Sequence, residues 1–196
     1  MEHEKACEFI TNRVKNELPK VLKYHSYAHT MDVLRAAMNL AKLEGISEYE
    51  TILLKTAVVL HDSGFIKQSN DHEKIGCEIA QETLPLFGYT EEEIARICGM
   101  IMATKIPQSP NNLLEQIICD SDLDYLGRDD FWVIGIKLFQ ELSMYGFLNN
   151  EEDWNRLQVK FLTSHAYFTQ SAISLRQQKK SEHLEKIKEI VATYMD

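Results

Sequence analysis

Apolar residues recur every three or four positions along almost the whole chain, and alternating apolar-polar runs between tight-turn dipeptides are nearly absent. A chain patterned this way buries its apolar side chains by packing helix on helix, so the expected fold class is all-α. The punctuation agrees. Ser47 with Glu50 and Thr90 with Glu93 are spaced as capping boxes, and Gly45, Gly64 and Gly88 stand where helical runs stop. The reading gives helices over about residues 4–18 (ending before Pro19), 26–44, 47–61, 72–87, 90–104 and 112–127. Two longer ones follow, over about 130–145 and 150–194. Neither repeats nor a composition shift marks a linker. The 196 residues therefore read as one helical-bundle domain, 1–196, able to bury roughly 70% of its unfolded surface without metal or disulfide staples.

Composition narrows the function classes. A formal net charge of −9 argues against a surface that tracks polymeric nucleic acid or an anionic membrane, while leaving room for a small anionic substrate among local cations. Cys7, Cys77, Cys98 and Cys119 form no CxxC pair and read as reduced core residues of a cytoplasmic protein. The opening MEHEKACEFI is acidic where a signal peptide is basic, and no stretch approaches the roughly 18 apolar residues of a spanning helix. The lysines between Arg176 and Lys188 alternate with glutamates and read as a solvated helix face. Phe131, Trp132, Phe139, Phe147, Trp154, Phe161, Tyr167 and Phe168 follow helical spacing and read as core, with a pocket lid or homodimer surface as the second reading.

Ligand-type residues gather where helices meet. His25 and His29 are four apart at a helix start, so one face presents both imidazoles. His61 and Asp62 are neighbours and point about 100° apart in a regular helix, so both reach one ion only at a helix end. Asp120, Asp122 and Asp124 lie among apolar residues and offer a fourth ligand. Two imidazoles and two carboxylates leave positions open for water on a six-coordinate divalent ion, the arrangement a hydrolase uses.

His29, then His61-Asp62 about thirty residues on, then Asp122 in DSDLDYLG resembles the H…HD…D signature of the HD-domain metal-dependent phosphohydrolase superfamily. The resemblance spans about residues 24–127, with the remaining helices packing on that core. It implies an HD-type helical fold in which His29, His61, Asp62 and Asp122 bind metal. Tyr24-His25-Ser26-Tyr27-Ala28-His29 is also similar to the YHNxxH segment of cyclic-nucleotide phosphodiesterases, with Ser26 in place of Asn. That likeness implies His25 as general acid; helix entry is its other reading. His72 is similar to the third histidine segment of binuclear HD enzymes, but Ala103 stands where those enzymes carry a further histidine, which implies one firmly held ion.

Phe65 replaces the lysine of the HDxGK pattern and also occupies the region of a glutamate found in relatives that act on deoxynucleoside monophosphates or guanosine tetraphosphate. Both specificities lose ground. His72 and Lys67 remain as phosphate-binding groups, with helix capping and solvation as their bland alternatives, and Lys105 as a further cation. The expectation is a hydrolase of phosphate esters on a nucleotide or another small phosphorylated metabolite. Its ion would be Mn²⁺, Fe²⁺, Co²⁺, Ni²⁺ or Mg²⁺, and Asp62 would also help orient water. A catalytically silent metal- and nucleotide-binding module and an HD-fold oxygenase are the alternatives. P-loop, nucleophile-elbow and HExxH motifs are absent.

Overall fold

Helices begin where the sequence supplies caps. The structure, a computed structural model, describes residues 1–195, the Met195 side chain excepted. Its α-helices are α1 (His3–Glu17), α2 (Tyr27–Leu43), α3 (Glu48–Leu60), α4 (His72–Thr83), α5 (Glu91–Ala103), α6 (Leu113–Asp122), α7 (Phe131–Met144), α8 (Glu151–Ser164) and α9 (Gln170–Ala192). Among the described residues no strand occurs, and the all-α expectation holds. Both capping boxes form: Ser47 and Thr90 accept from the backbone N–H groups of Glu50 and Glu93, whose carboxylates reach back to the cap.

The chain divides into two compact units, Met1–Asp122 and a second from Leu123 onward, where the sequence reading drew one domain over 1–196. The first is organised around α3. Leu53, Leu54 and Thr56 to Leu60 are all buried, so the C-terminal half of this helix is enclosed, as its nearly continuous apolar run requires. It packs against α1, α2, α4, α5 and α6. Ile97, Met100 and Ile101 of α5 and Ile117 and Ile118 of α6 complete this core. Removing such a side chain to Ala costs about 2–5 kcal/mol.

In the second unit the 3-10 turn Asp124–Gly127 packs on α9, and α8 pairs with α9. Gly127 makes the approach feasible, because a Cβ there would lie 2.4 Å from the Arg176 carbonyl oxygen. Arg176 donates to Asp124 at 2.6 Å, and His183 Nδ1 lies 3.0 Å from the Leu126 carbonyl.

Three boundaries differ from the sequence reading. The helix expected over 112–127 ends at Asp122 and tightens into a 3-10 turn; the one over 72–87 becomes a 3-10 turn at Leu84, next to Pro85. The helix expected over 150–194 breaks between Ser164 and Gln170, where Thr169 caps a new helix by accepting from the Ala172 N–H at 3.2 Å. No glycine or proline marks that break. Phe131 and Tyr167 are buried as expected, but Phe147 is 70% exposed and Trp132 37%.

Candidate metal centre

Three helix ends deliver the residues. Ser26 caps α2, its Oγ accepting from the His29 backbone N–H at 3.4 Å, which fixes His29 in the first turn. Serine thus does the capping work open to the asparagine of the similar motif. α3 ends at Leu60, His61 keeps helical angles, and Asp62 departs to φ −99°, ψ 3° as the chain tightens into the 3-10 turn Ser63–Ile66. That change of pitch brings two successive side chains to one point. Asp122 is the last residue of α6.

His29 Nε2 lies 3.0 Å from Asp122 Oδ1 and 3.5 Å from Asp62 Oδ2. His61 Nε2 lies 3.2 Å from Asp62 Oδ2 and 3.6 Å from Asp122 Oδ1. One ligand atom each from His29, His61 and Asp122 falls within 4.8 Å of the others, a group able to hold a metal ion. His61 Nδ1 donates to the Val58 carbonyl at 2.7 Å, which leaves Nε2 facing the cluster.

The donor set fits a divalent cation. His61 Nε2 and Asp62 Oδ2 are buried, lie 3.2 Å apart and make no hydrogen bond of normal geometry, a need that an ion between them would meet. Burial alone would disfavour the charged forms, yet the His61 imidazole is held well above its ordinary pKa by Asp62 and Asp122. The Asp62 and Asp122 carboxyls are held far below theirs by the surrounding histidines, against their own burial. Two carboxylates kept ionised between imidazole nitrogens is mixed nitrogen and oxygen ligation, suited to first-row divalent ions.

Around this group lies a cluster of rings. Phe65 touches both His25 (centroids 4.2 Å, interplanar 21°) and His72 (4.2 Å, 33°), whose own centroids are 5.9 Å apart. Tyr24 covers His29 at 4.6 Å. His72 Nε2 is 3.6 Å from Asp62 Oδ1 and 3.5 Å from Glu73 Oε1, and its Nδ1 is 3.1 Å from the Ser69 carbonyl. Gly64 permits this: a Cβ there would lie 1.9 Å from the His72 carbonyl oxygen. Asp71, at φ 53°, precedes α4 and pairs with Lys105 at 2.6 Å.

The structure thus brings together His29, His61, Asp62 and Asp122, with His25 and His72 at their border. Lys67 is exposed past the 3-10 turn, and Lys105 is engaged by Asp71. Of the other two aspartates, Asp124 is paired with Arg176 and Arg128, and Asp120 is buried outside the ligand group. Sequence reasoning missed two contributors. Phe65 registered only as a replacement for a lysine and a glutamate, and Glu73, whose carboxylate is buried, drew no reading. An apolar ring beside the His-Asp pair was the available signal for Phe65.

The HD domain family model matches residues 26–124, and the chain belongs to that family. HD domains bind divalent metals, and the group formed by His29, His61 and Asp122 could hold one. Solved structures share the fold. A predicted HD superfamily hydrolase from an uncultured Thermotogales bacterium is 19% identical with TM-score 0.61, covering 97% of this chain and 92% of that one. Bacillus subtilis YpgQ, solved in complex with ADP, is 17% identical with TM-score 0.67 over 97% and 95%. A Lactobacillus plantarum protein is 16% identical with TM-score 0.71 over 100% and 99%. No curated protein matches the chain. Among the described residues no helix is long and apolar enough to cross a membrane.

Proposed function

We propose that the chain hydrolyses a phosphate ester of a small phosphorylated metabolite, with a nucleotide as the first candidate. The observation that carries the reading is the pair of buried donor atoms with no hydrogen bond of normal geometry, His61 Nε2 and Asp62 Oδ2, inside a group of two imidazoles and two carboxylates. His29, His61, Asp62 and Asp122 would hold one divalent ion, of Mn²⁺, Fe²⁺, Co²⁺, Ni²⁺ or Mg²⁺. Such an ion supplies positive charge to a phosphoryl oxygen and acidifies a water near neutral pH.

The remaining work falls to the chain's own side chains. Asp62 Oδ1 faces away from His61 toward His72, and a carboxylate so placed can orient an attacking water. His25, held flat against Phe65, is the proton donor to the departing oxygen. His72 and, from the surface, Lys67 are the groups for phosphate oxygens. The nucleotide preference is supported by the shared fold of YpgQ, which was solved with ADP. Phe65 in the lysine's place favours a second reading, a binding module with the same ligands and no turnover.

The test is hydrolysis of a nucleotide panel, cyclic nucleotides included, by metal-stripped protein resupplied with Mn²⁺, against Asp62→Ala. Turnover that needs both the ion and Asp62 is the expected result. Stoichiometric Mn²⁺ on the wild type without turnover would overturn the hydrolase in favour of the binding module.

A further inference from the structure

Cys77 of α4 and Cys98 of α5 meet across two adjoining helices. The Cys77 thiol donates to the Cys98 carbonyl at 3.5 Å, and the Cys98 thiol donates to the Cys77 carbonyl at 3.8 Å. Reciprocal contacts of this kind set the two residues side by side on neighbouring helices. Their environments differ: Cys77 is buried, while Cys98 is only half-buried and open to a small oxidant. The other two cysteines are buried and engaged elsewhere, Cys7 against the Thr56 hydroxyl and Cys119 on the Ala103 carbonyl.

We propose that Cys77 and Cys98 are a redox-modification site, closing to a reversible disulfide under a peroxide-class oxidant. The roles follow from the surroundings. The neighbouring Cys77 thiol holds Cys98 below its ordinary pKa against its partial burial, while burial and the neighbouring Cys98 push Cys77 up. The more open sulfur, Cys98, is the one an oxidant reaches first, and a second thiol beside it is the arrangement of oxidant-sensing pairs.

Cys98 thiolate attacks one oxygen of hydrogen peroxide. An S–O bond forms, the O–O bond breaks, and the hydroxide released takes up the proton that Cys98 lost, leaving water and a sulfenic acid. Cys77 sulfur then attacks the Cys98 sulfur. The S–S bond forms, the S–O bond breaks, and the departing hydroxide leaves as water with the Cys77 proton. Two thiols lose two electrons and two protons, and one peroxide becomes two waters. A small thiol reverses the step by exchange.

The bond would tie α4 to α5 close to the metal centre. Gly76, the neighbour of Cys77, packs so tightly that a Cβ there would lie 3.1 Å from the Leu60 carbonyl oxygen and 3.5 Å from that of His61. The clamped segment therefore abuts the helix end that carries His61.

The experiment treats the intact, reduced protein with stoichiometric hydrogen peroxide, blocks remaining thiols under denaturing conditions and maps peptides by mass. Four alkylatable cysteines should fall to two. A Cys77–Cys98 linked peptide, lighter by two hydrogens and split by reductant, should appear. Cys77→Ser, which keeps Cys98, should instead accumulate a dimedone-trappable sulfenic acid at Cys98; Cys98→Ser should leave all its thiols free. Four free thiols after oxidation, a disulfide involving Cys7 or Cys119, or a disulfide between chains would each overturn the proposal.

Discussion

Replacing Gly64 by Ala should destabilise the first unit by more than any ordinary surface substitution. The added Cβ would lie 1.9, 2.6 and 2.8 Å from the O, C and Cα atoms of His72, whereas ordinary contact begins at 3.4 Å. All three are backbone atoms, so no side chain can swing aside. The 3-10 turn after Asp62 and the start of α4 must part by more than 1 Å. Overpacking costs about 1–3 kcal/mol, and a rigid backbone obstacle puts this case near about 3 kcal/mol. For a chain of this length that corresponds to a fall in Tm of roughly 6–12 °C. The assay is thermal unfolding of metal-free wild type and Gly64→Ala followed by far-UV circular dichroism. A variant melting within about 1 °C of wild type would refute the close packing of the His-Asp segment on His72.

Gly135→Ala tests the opposite sign. It lies inside α7, and its Cβ would meet Trp154 and Gln158 only at 3.6 and 3.7 Å, so helix propensity should dominate and raise stability by about 0.5–1 kcal/mol in a urea titration; a loss would contradict this. Saturating Mn²⁺ at about a hundred times its Kd should stabilise metal-stripped wild type by about 2.7 kcal/mol, reversibly with chelator, and should leave Asp62→Ala unmoved in the same melting assay. Lys180 is buried in α9 with its ammonium on the His165 carbonyl, and burial lowers its pKa below that of the unfolded chain. The folded state therefore bears the cost of a buried charge below the folded pKa, and that cost fades as pH rises toward the unfolded value near about 10.4. Wild type should gain on Lys180→Met as pH rises from neutral to alkaline in paired urea midpoints, and a pH-independent difference would contradict the assignment.

What the sequence makes legible, and what it hides, separates along physical lines. Helix starts were readable because capping is local: Ser47, Thr90 and their glutamates act over three residues. The need for a helix end at His61-Asp62 was readable too, since 3.6 residues per turn forbids two neighbours from sharing one face. Which of Asp120, Asp122 and Asp124 joins the histidines depends on where α6 stops, and spacing left that open until the resemblance selected Asp122. The break at residues 165–169 was hidden because Thr169 is a weak mark without glycine or proline beside it. The His25–Phe65–His72 cluster was hidden for another reason: it joins three separate segments, of which Phe65 and His72 meet where α4 packs on the 3-10 turn. The exposure of Phe147 and Trp132 shows the converse, since helical spacing alone does not say which apolar face finds a partner.

The central claim is that His29, His61, Asp62 and Asp122 hold one divalent ion. Its most direct test is calorimetric titration of Mn²⁺ into metal-stripped wild type and the four single alanine variants, with Asp124→Asn as the control aspartate. The account predicts one ion per wild-type chain, affinity lowered by at least about tenfold in each of the four variants, and wild-type affinity in Asp124→Asn. Unchanged affinity in the four, or loss of binding in Asp124→Asn with the four intact, would contradict it.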